Sequence, residues 1–144
     1  MIRKAQSEDF AIITALAMEL WPHHNAEELE TDLASLLTKK DAAIFLAFSQ
    51  DTPIGFAQCQ LRHDYVEGTN SSPVGYLEGI FIKEIYRRQG YARLLLAACE
   101  VWARELECTE FASDCELENT ESLQFHQNLG FEEAGRIICF TKKL

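Results

Sequence analysis

Apolar and polar positions follow two rhythms along the chain, and the switches between them predict its elements. Phe10, Ile13, Leu16, Ala17 and Leu20 recur at the three- and four-residue spacing of one helix face. Ser7 stands ahead of them as a candidate N-cap, with Glu8 and Asp9 in the first turn. Trp21-Pro22 should end this helix, because proline disfavours helical geometry at the residue before it. Residues 26–39 repeat the rhythm with Leu29, Leu33, Leu36 and Leu37. The strongest helical signal covers residues 90–107. There Ala92, Leu95, Leu96, Cys99, Trp102, Ala103 and Leu106 fill every slot of an i, i+3, i+4, i+7 pattern. A last helix is predicted over Thr120 to Leu129, stopped by Gly130.

Between these lie shorter apolar runs. Ile2 to Ala5 reads as an opening strand. Ala43 to Phe48 and Ile54 to Leu61 read as a hairpin about the turn Gln50-Asp51-Thr52-Pro53. Val74 to Ile82, Thr109 to Cys115 and Phe131 to Thr141 complete the strands, and the polar stretch 62–73 is a loop. The expected order is β-α-α-β-β-β-α-β-α-β in a single α/β domain spanning 1–144 with a mixed sheet. The strand–helix–strand unit at 74–115 should be a right-handed crossover between parallel strands. Their C-terminal ends then share the sheet edge at which open α/β sheets bind ligands.

Composition narrows the function classes. The 144 residues are 47% hydrophobic and 25% charged, in the range of ordinary globular proteins. No apolar run approaches the ~20 residues of a membrane span. The opening MIRKAQSEDF has no apolar signal core, so a cytoplasmic protein is expected. Five cysteines without a CxxC pair or a metal-like spacing to the histidines read as reduced thiols, and no metal site is expected. Thirteen basic against 23 acidic residues give a net charge of −10. Such a surface disfavours nucleic acid and anionic lipid and attracts polycations, although acidity for solubility alone is as ordinary an explanation.

One short motif carries cofactor chemistry. Arg87-Arg88-Gln89-Gly90-Tyr91-Ala92 follows a predicted strand and opens the strongest predicted helix, reading R-x-x-G-x-A. Free backbone N–H groups and the positive end of the helix dipole meet there, and Gly90 and Ala92 leave room for an anion such as a pyrophosphate. Taken alone the motif fits an ordinary tight turn into an amphipathic helix better. Asn119, Ser122, His126 and Gly130-Phe131 follow later in the chain. Together these residues resemble the GNAT acetyltransferase superfamily, with its Q/R-x-x-G-x-G/A cofactor motif and its later N-x-x-A/S…Y-x-x-x-G-F signature. The resemblance implies the GNAT fold, with helices on both faces of a mixed central sheet, and acetyl-CoA as co-substrate. It implies that backbone groups of Ile80, Phe81 and Ile82 pair with the pantetheine arm. Backbone N–H groups of Arg88, Gln89, Gly90, Tyr91, Ala92 and Arg93 would hold the pyrophosphate, and Asn119 would contact the cofactor. His126 takes the place of a tyrosine that protonates the departing thiolate in much of the superfamily, and would either do so or merely pack.

A narrower likeness concerns the acceptor. Trp21-Pro22-x-His24, the segment Arg62 to Val66 with Ser71 to Val74, Leu77-Glu78-Gly79-Ile80-Phe81, Phe111 to Asp114 and Glu118 to Thr120 resemble the aminoglycoside 6′-N-acetyltransferases. Carried over, the likeness puts Trp21, His24, Tyr65, Glu78 and Asp114 around the antibiotic, with Asp114 and Glu78 as the candidates for taking the proton from its amine. A homodimer is implied as well. Gly135 is a departure, since relatives are often acidic there; Glu132 or Glu133 could take over that contact. The residue types suit a polycationic acceptor. By the period-two rule Glu78 shares a strand face with Tyr76 and Ile80, where a lone carboxylate needs a partner or a ligand. A salt bridge for Glu78, a turn or cap for Asp114 and core positions for Trp21 and Tyr65 are the plain alternatives. A covalent route through Cys115, beside Asp114, lacks a base. Two other functions fit the same cofactor motif: acetylation of a protein N-terminus, lysine or polyamine, and a non-catalytic acetyl-CoA-binding module.

Overall fold

In a computed structural model, which describes residues 1–144, five strands lie side by side in sequence order. They are β1 (Ile2–Lys4), β2 (Ala42–Ser49), β3 (Thr52–Arg62), β4 (Val74–Ile82) and β5 (Phe111–Ala112). The first four pair antiparallel, while β5 runs parallel to β4 after a crossover. The helices are α1 (Phe10–Leu20), α2 (Ala26–Leu36), α3 (Tyr91–Glu105) and α4 (Thr120–Asn128).

Two apolar layers clamp the sheet. Leu95, Leu96, Cys99 and Trp102 of α3 bury against Ala43, Ala57, Cys59 and Leu77, with Phe125 and Leu129 from the α4 region alongside. On the opposite face Ile13, Leu16 and Ala17 of α1 and Leu29 and Leu33 of α2 meet Ile44, Leu46, Phe48 and Phe56. The helical spacing read from the sequence is what puts each stripe on one side. Leu95 is fully buried, and its truncation to alanine would cost about 2–5 kcal/mol.

Local chemistry adjusts the expected boundaries. Ser7 does not cap α1 directly. A 3-10 turn over Ser7–Asp9 precedes the helix, and the buried Asp9 carboxylate accepts the Gln6 N–H at 2.7 Å. Arg3 grips the same carboxylate at 2.7 and 2.9 Å, tying β1 to the start of α1. The second helix stops at Leu36 rather than residue 39, and Leu106 lies beyond the end of α3, 36% exposed. Asn25 caps α2 through Oδ1, which accepts the N–H groups of Glu27 and Glu28.

The closing strand expected over Phe131 to Thr141 is not formed. Residues 132–144 carry no regular structure, and Ile137, Ile138 and Phe140 are 78%, 80% and 87% exposed. One cause is visible: β5 presents only two paired residues as a template.

β4 carries the irregularity that shapes the site. Gln58 pairs with Gly79 and Cys59 with Leu77, so Glu78 is an extra residue in the ladder. This bulge reverses the alternation of side chains. Leu77 packs toward α3 before it, and Ile80 and Ile82 pack toward α3 after it. The expected sharing of one face by Tyr76, Glu78 and Ile80 is therefore half right. Tyr76 and Glu78 share a face, and Ile80 has crossed to the other.

Candidate active site

β4 and β5 pair only at Gly75–Phe111 and Tyr76–Ala112, and then part. The strand expected over Thr109 to Cys115 is cut short by this divergence. The β5-side edge of β4 from Leu77 to Ile82, including Ile80 and Phe81, is left without a strand partner. Where β4 ends, Arg87 turns back and its Nε donates to the Ile82 carbonyl at 2.8 Å, with the guanidinium 5.8 Å from the Phe81 ring centre. Arg88 and Gly90 both take left-handed conformations, φ 62° and 89°. The chain then enters α3, whose first internal bond runs from the Leu94 N–H to the Gly90 carbonyl. The backbone N–H groups of Arg88, Gln89, Gly90, Tyr91, Ala92 and Arg93 have no acceptor within the protein. That row, at the positive end of a 15-residue helix, suits an anion of two phosphates. A Cβ at Gly90 would meet nothing within 4 Å, so its glycine is required by the backbone turn and its outer side is open.

On the face beyond the bulge the charged groups converge. Glu78 receives a two-pronged bond from Arg62, Nε at 3.0 Å and Nη2 at 2.9 Å. The same guanidinium lies over the Tyr76 ring, 3.5 Å from its centre. The Tyr76 hydroxyl in turn donates to the Asp114 carboxylate just past β5. Burial and the bond to Asp114 push the Tyr76 phenol well above its usual value, so it stays a neutral donor. The hydrogen bonds it donates to Glu78 hold the Arg62 guanidinium even more firmly protonated than usual. Trp21, at the C-terminal end of α1, lies where a Gly79 side chain would be, its ring 2.8 Å from the position of a Cβ. The bulge and this glycine thus seat an indole beside Glu78. The Trp21 ring also meets Phe56 edge-on at 6.1 Å and His24 at 5.9 Å.

His126 is wired at both nitrogens. Nδ1 lies 2.6 Å from the Ser122 carbonyl, which only accepts, so Nδ1 carries the proton. Nε2 then accepts the Ser113 hydroxyl at 2.7 Å. Phe125 and Phe131 flank the imidazole edge-on at 5.3 and 5.1 Å. Ser113 follows β5 in the gap between the strands and links His126 to it. Asn119 caps α4 by accepting the Ser122 N–H at 3.0 Å, which leaves its amide NH2 without a protein partner.

The structure thus brings Glu78, Asp114, Trp21 and His24 to one face and sets Ile80, Phe81, Ile82 and the 88–93 turn at the neighbouring gap. Tyr65 is not drawn in: it stands 75% exposed on the 63–73 loop. Two contributors, Arg62 and Ser113, carry no pattern in the sequence that marks them, whereas the two-residue spacing of Tyr76 from Glu78 does mark that residue. At the tail, Glu133 is engaged by Arg136, so it does not replace an acidic group at Gly135. Glu67 does lie there, 3.7 Å from where a Gly135 side chain would begin. No group of three or more His, Cys, Asp or Glu side chains is arranged to hold a metal ion, and no helix is long and apolar enough to cross a membrane.

A sheet that opens between its parallel strands, with a row of free N–H groups at the mouth, defines an acyl-CoA-dependent transferase. The model of the acetyltransferase (GNAT) family matches residues 3–131, and the chain belongs to that family. Within it, the chain is 41% identical over 129 residues to aminoglycoside N(6′)-acetyltransferase type 1 of Acinetobacter haemolyticus, covering 90% of this chain and 88% of the relative. It is 43% identical over 128 residues to the protein of the same description from Salmonella typhimurium, covering 89% and 88%. Among solved structures, AAC(6′)-Iy in complex with the bisubstrate analogue CoA-S-monomethyl-acetylneamine superposes with a TM-score of 0.96 at 40% identity, over 100% of this chain and 98% of that one. An apo AAC(6′)-IG from Acinetobacter haemolyticus follows at 0.94 and 37% identity, over 100% and 99%.

Proposed function

We propose that this chain, acting as one domain over residues 1–144, transfers the acetyl group of acetyl-CoA to the 6′-amine of aminoglycosides and so confers resistance to them. The observation that carries the reading is the juxtaposition of two carboxylates, Glu78 and Asp114, with the gap beside the free N–H row. The kinship reported above supports the substrate class. The unpaired edge at Ile80, Phe81 and Ile82 suits the pantetheine arm, the N–H groups of Arg88 to Arg93 the pyrophosphate, and the free Asn119 amide a further cofactor contact. Trp21, His24 and the exposed ring of Tyr65 supply walls for sugar rings, with Glu67 on the side of Gly135.

The chemistry needs a neutral amine. Asp114, held by Tyr76, takes the proton, with Glu78 assisting by attracting the ammonium. The freed lone pair then attacks the thioester carbonyl, a C–N bond forms as the C–S bond breaks, and backbone N–H groups at the strand gap favour the developing oxyanion. The departing thiolate collects a proton, which His126 delivers through Ser113 when its imidazole carries a second one. A thiol-release assay across tobramycin, kanamycin, spermine and a peptide panel tests the reading. Release with the aminoglycosides is expected; release with the peptides and none with any aminoglycoside overturns it in favour of a protein acetyltransferase.

The working form is a homodimer in the cytoplasm. The exposed apolar tail, Ile137, Ile138 and Phe140, and the uncovered outer edge of β5 support the dimer, since each copy has an unpaired β-forming segment to give and an open edge to receive it. A 510 Å³ cleft lined by Phe111, Leu129 and Phe131 runs along that edge. Removal of residues 135–144 should convert the dimer to monomer in light scattering, and a truncated chain that stays dimeric refutes the role of the tail. Five unpaired thiols, Cys115 and Cys139 among them exposed, support a reducing compartment.

A further inference from the structure

We propose that Arg62 is an internal competitor of the substrate, its guanidinium filling a slot for an ammonium group from which an incoming polycation must displace it. The proposal rests on the aminoglycoside reading above and adds to it the residue that sets how tightly the acceptor binds. The slot is the one described by Glu78 and the Tyr76 ring. Arg62 satisfies both oxygens of Glu78, at 3.0 and 2.9 Å, and covers the aromatic face at 3.5 Å. Those are the two attractions a substrate cation would seek here, a carboxylate and the negative face of a ring. With Tyr76 neutral, Arg62 cancels one of the two carboxylate charges, so the resting cluster offers attraction for a single cation, at Asp114.

The position of Arg62 allows it to yield. It is the last residue of β3, its backbone fixed opposite Val74, and the exposed residues His63 and Asp64 follow it. Its side chain is 40% exposed while that of Glu78 is 18% exposed, so the cation sits on the solvent side of the pair. A long stem lets the head group turn outward into water without moving the strand. An aminoglycoside carries several ammonium groups. One can replace the guanidinium against Glu78 while another reaches Asp114, and neither carboxylate is then left bare. The binding energy measured for the acceptor is accordingly the gain of these contacts less the cost of breaking the internal ones.

The alternative role for Arg62 is to hold Glu78 in place for the substrate, and the two roles differ in the sign of their effect. Arg62→Met keeps most of the apolar stem and removes the charge. Arg62→Lys keeps a charge but loses the two-pronged fit, making a weaker competitor. Calorimetric titration of each form with tobramycin at low and high salt, after thermal unfolding has shown which variants fold, reads the difference. Arg62→Met should bind tobramycin about three- to tenfold more tightly at low salt and lose that advantage as salt rises. Arg62→Lys should fall between it and the parent, and decides alone if the methionine variant does not fold. Equal or weaker binding by the variants, with the parent turning over tobramycin, overturns the competitor role and leaves the function intact. Absence of tobramycin binding by every form overturns both.

Discussion

The Tyr76 hydroxyl donates to the Asp114 carboxylate across the point where β4 and β5 separate. One residue closes the paired part of the strands and the other opens the gap, so the bond fixes the carboxylate at the mouth of the cleft. Asp114 is otherwise exposed and follows a strand of two residues, a position with little else to orient it. Asp114→Ala should lower kcat about 10²- to 10⁴-fold while leaving acetyl-CoA affinity nearly unchanged. Tyr76→Phe keeps the carboxylate but frees it, and a loss of about tenfold is expected. Steady-state kinetics on both variants checks this, and an unaltered kcat in Asp114→Ala removes Asp114 from the role of base.

The helices and the cofactor turn were legible because each is written in local spacing. The α3 stripe repeats over a whole element, and the R-x-x-G-x-A run needs only a strand before it and a helix after it. The bulge at Glu78 is invisible to such spacing, since it arises from a mismatch between two strands whose individual patterns look regular. It moved Ile80 to the face opposite Glu78. Arg62 was hidden for a related reason: its partners Glu78 and Tyr76 are brought to it by the register of β3 on β4. The tail misled in the other direction. Its run of β-forming residues is real, but a strand needs an edge to pair with, and β5 offers only two residues of this chain.

Acid stability should depend on Asp9. The bonds from Arg3 and the Gln6 N–H hold its carboxyl below the usual range against the opposing effect of burial. Folding therefore favours the charged form. The resulting stability is present in full above the unfolded value of about 4 and disappears as the pH falls through the lower folded value. Asp9→Ala removes a nearly buried acceptor of three bonds and should cost roughly 1–3 kcal/mol at neutral pH. Urea unfolding measured from pH 7 down to about 3 should show the gap between parent and variant narrowing with acid. A gap that stays constant assigns the effect to packing instead.

Cys115 tests the route of transfer. Its thiol is exposed and next to Asp114, yet no hydrogen bond joins it to any base. Direct attack of the amine does not use it. Cys115→Ala should turn over at the parent rate, and the parent should release no thiol in a stoichiometric burst when acetyl-CoA is added without acceptor. Either a burst or a collapse of turnover would put a covalent acetyl-enzyme back on the path.

Gly79 and Gly90 separate the two halves of the site, because each is a glycine for a different reason. At Gly90 the backbone has φ 89°, and an added methyl would project into open space at the row of free N–H groups. Gly90→Ala should cost about 1 kcal/mol of stability through the backbone alone. It should also raise the KM for acetyl-CoA about tenfold, an affinity loss of roughly 1.4 kcal/mol, because the methyl stands where a phosphate approaches. At Gly79 the added methyl meets the Trp21 ring at 2.8 Å, and the indole must leave its seat beside Glu78. Gly79→Ala should therefore raise the KM for the aminoglycoside and spare that for acetyl-CoA. Measuring both constants for both variants gives a crossed pattern if the two subsites are where the sequence and fold put them. Parallel changes in the two constants would mean that one pocket serves both ligands.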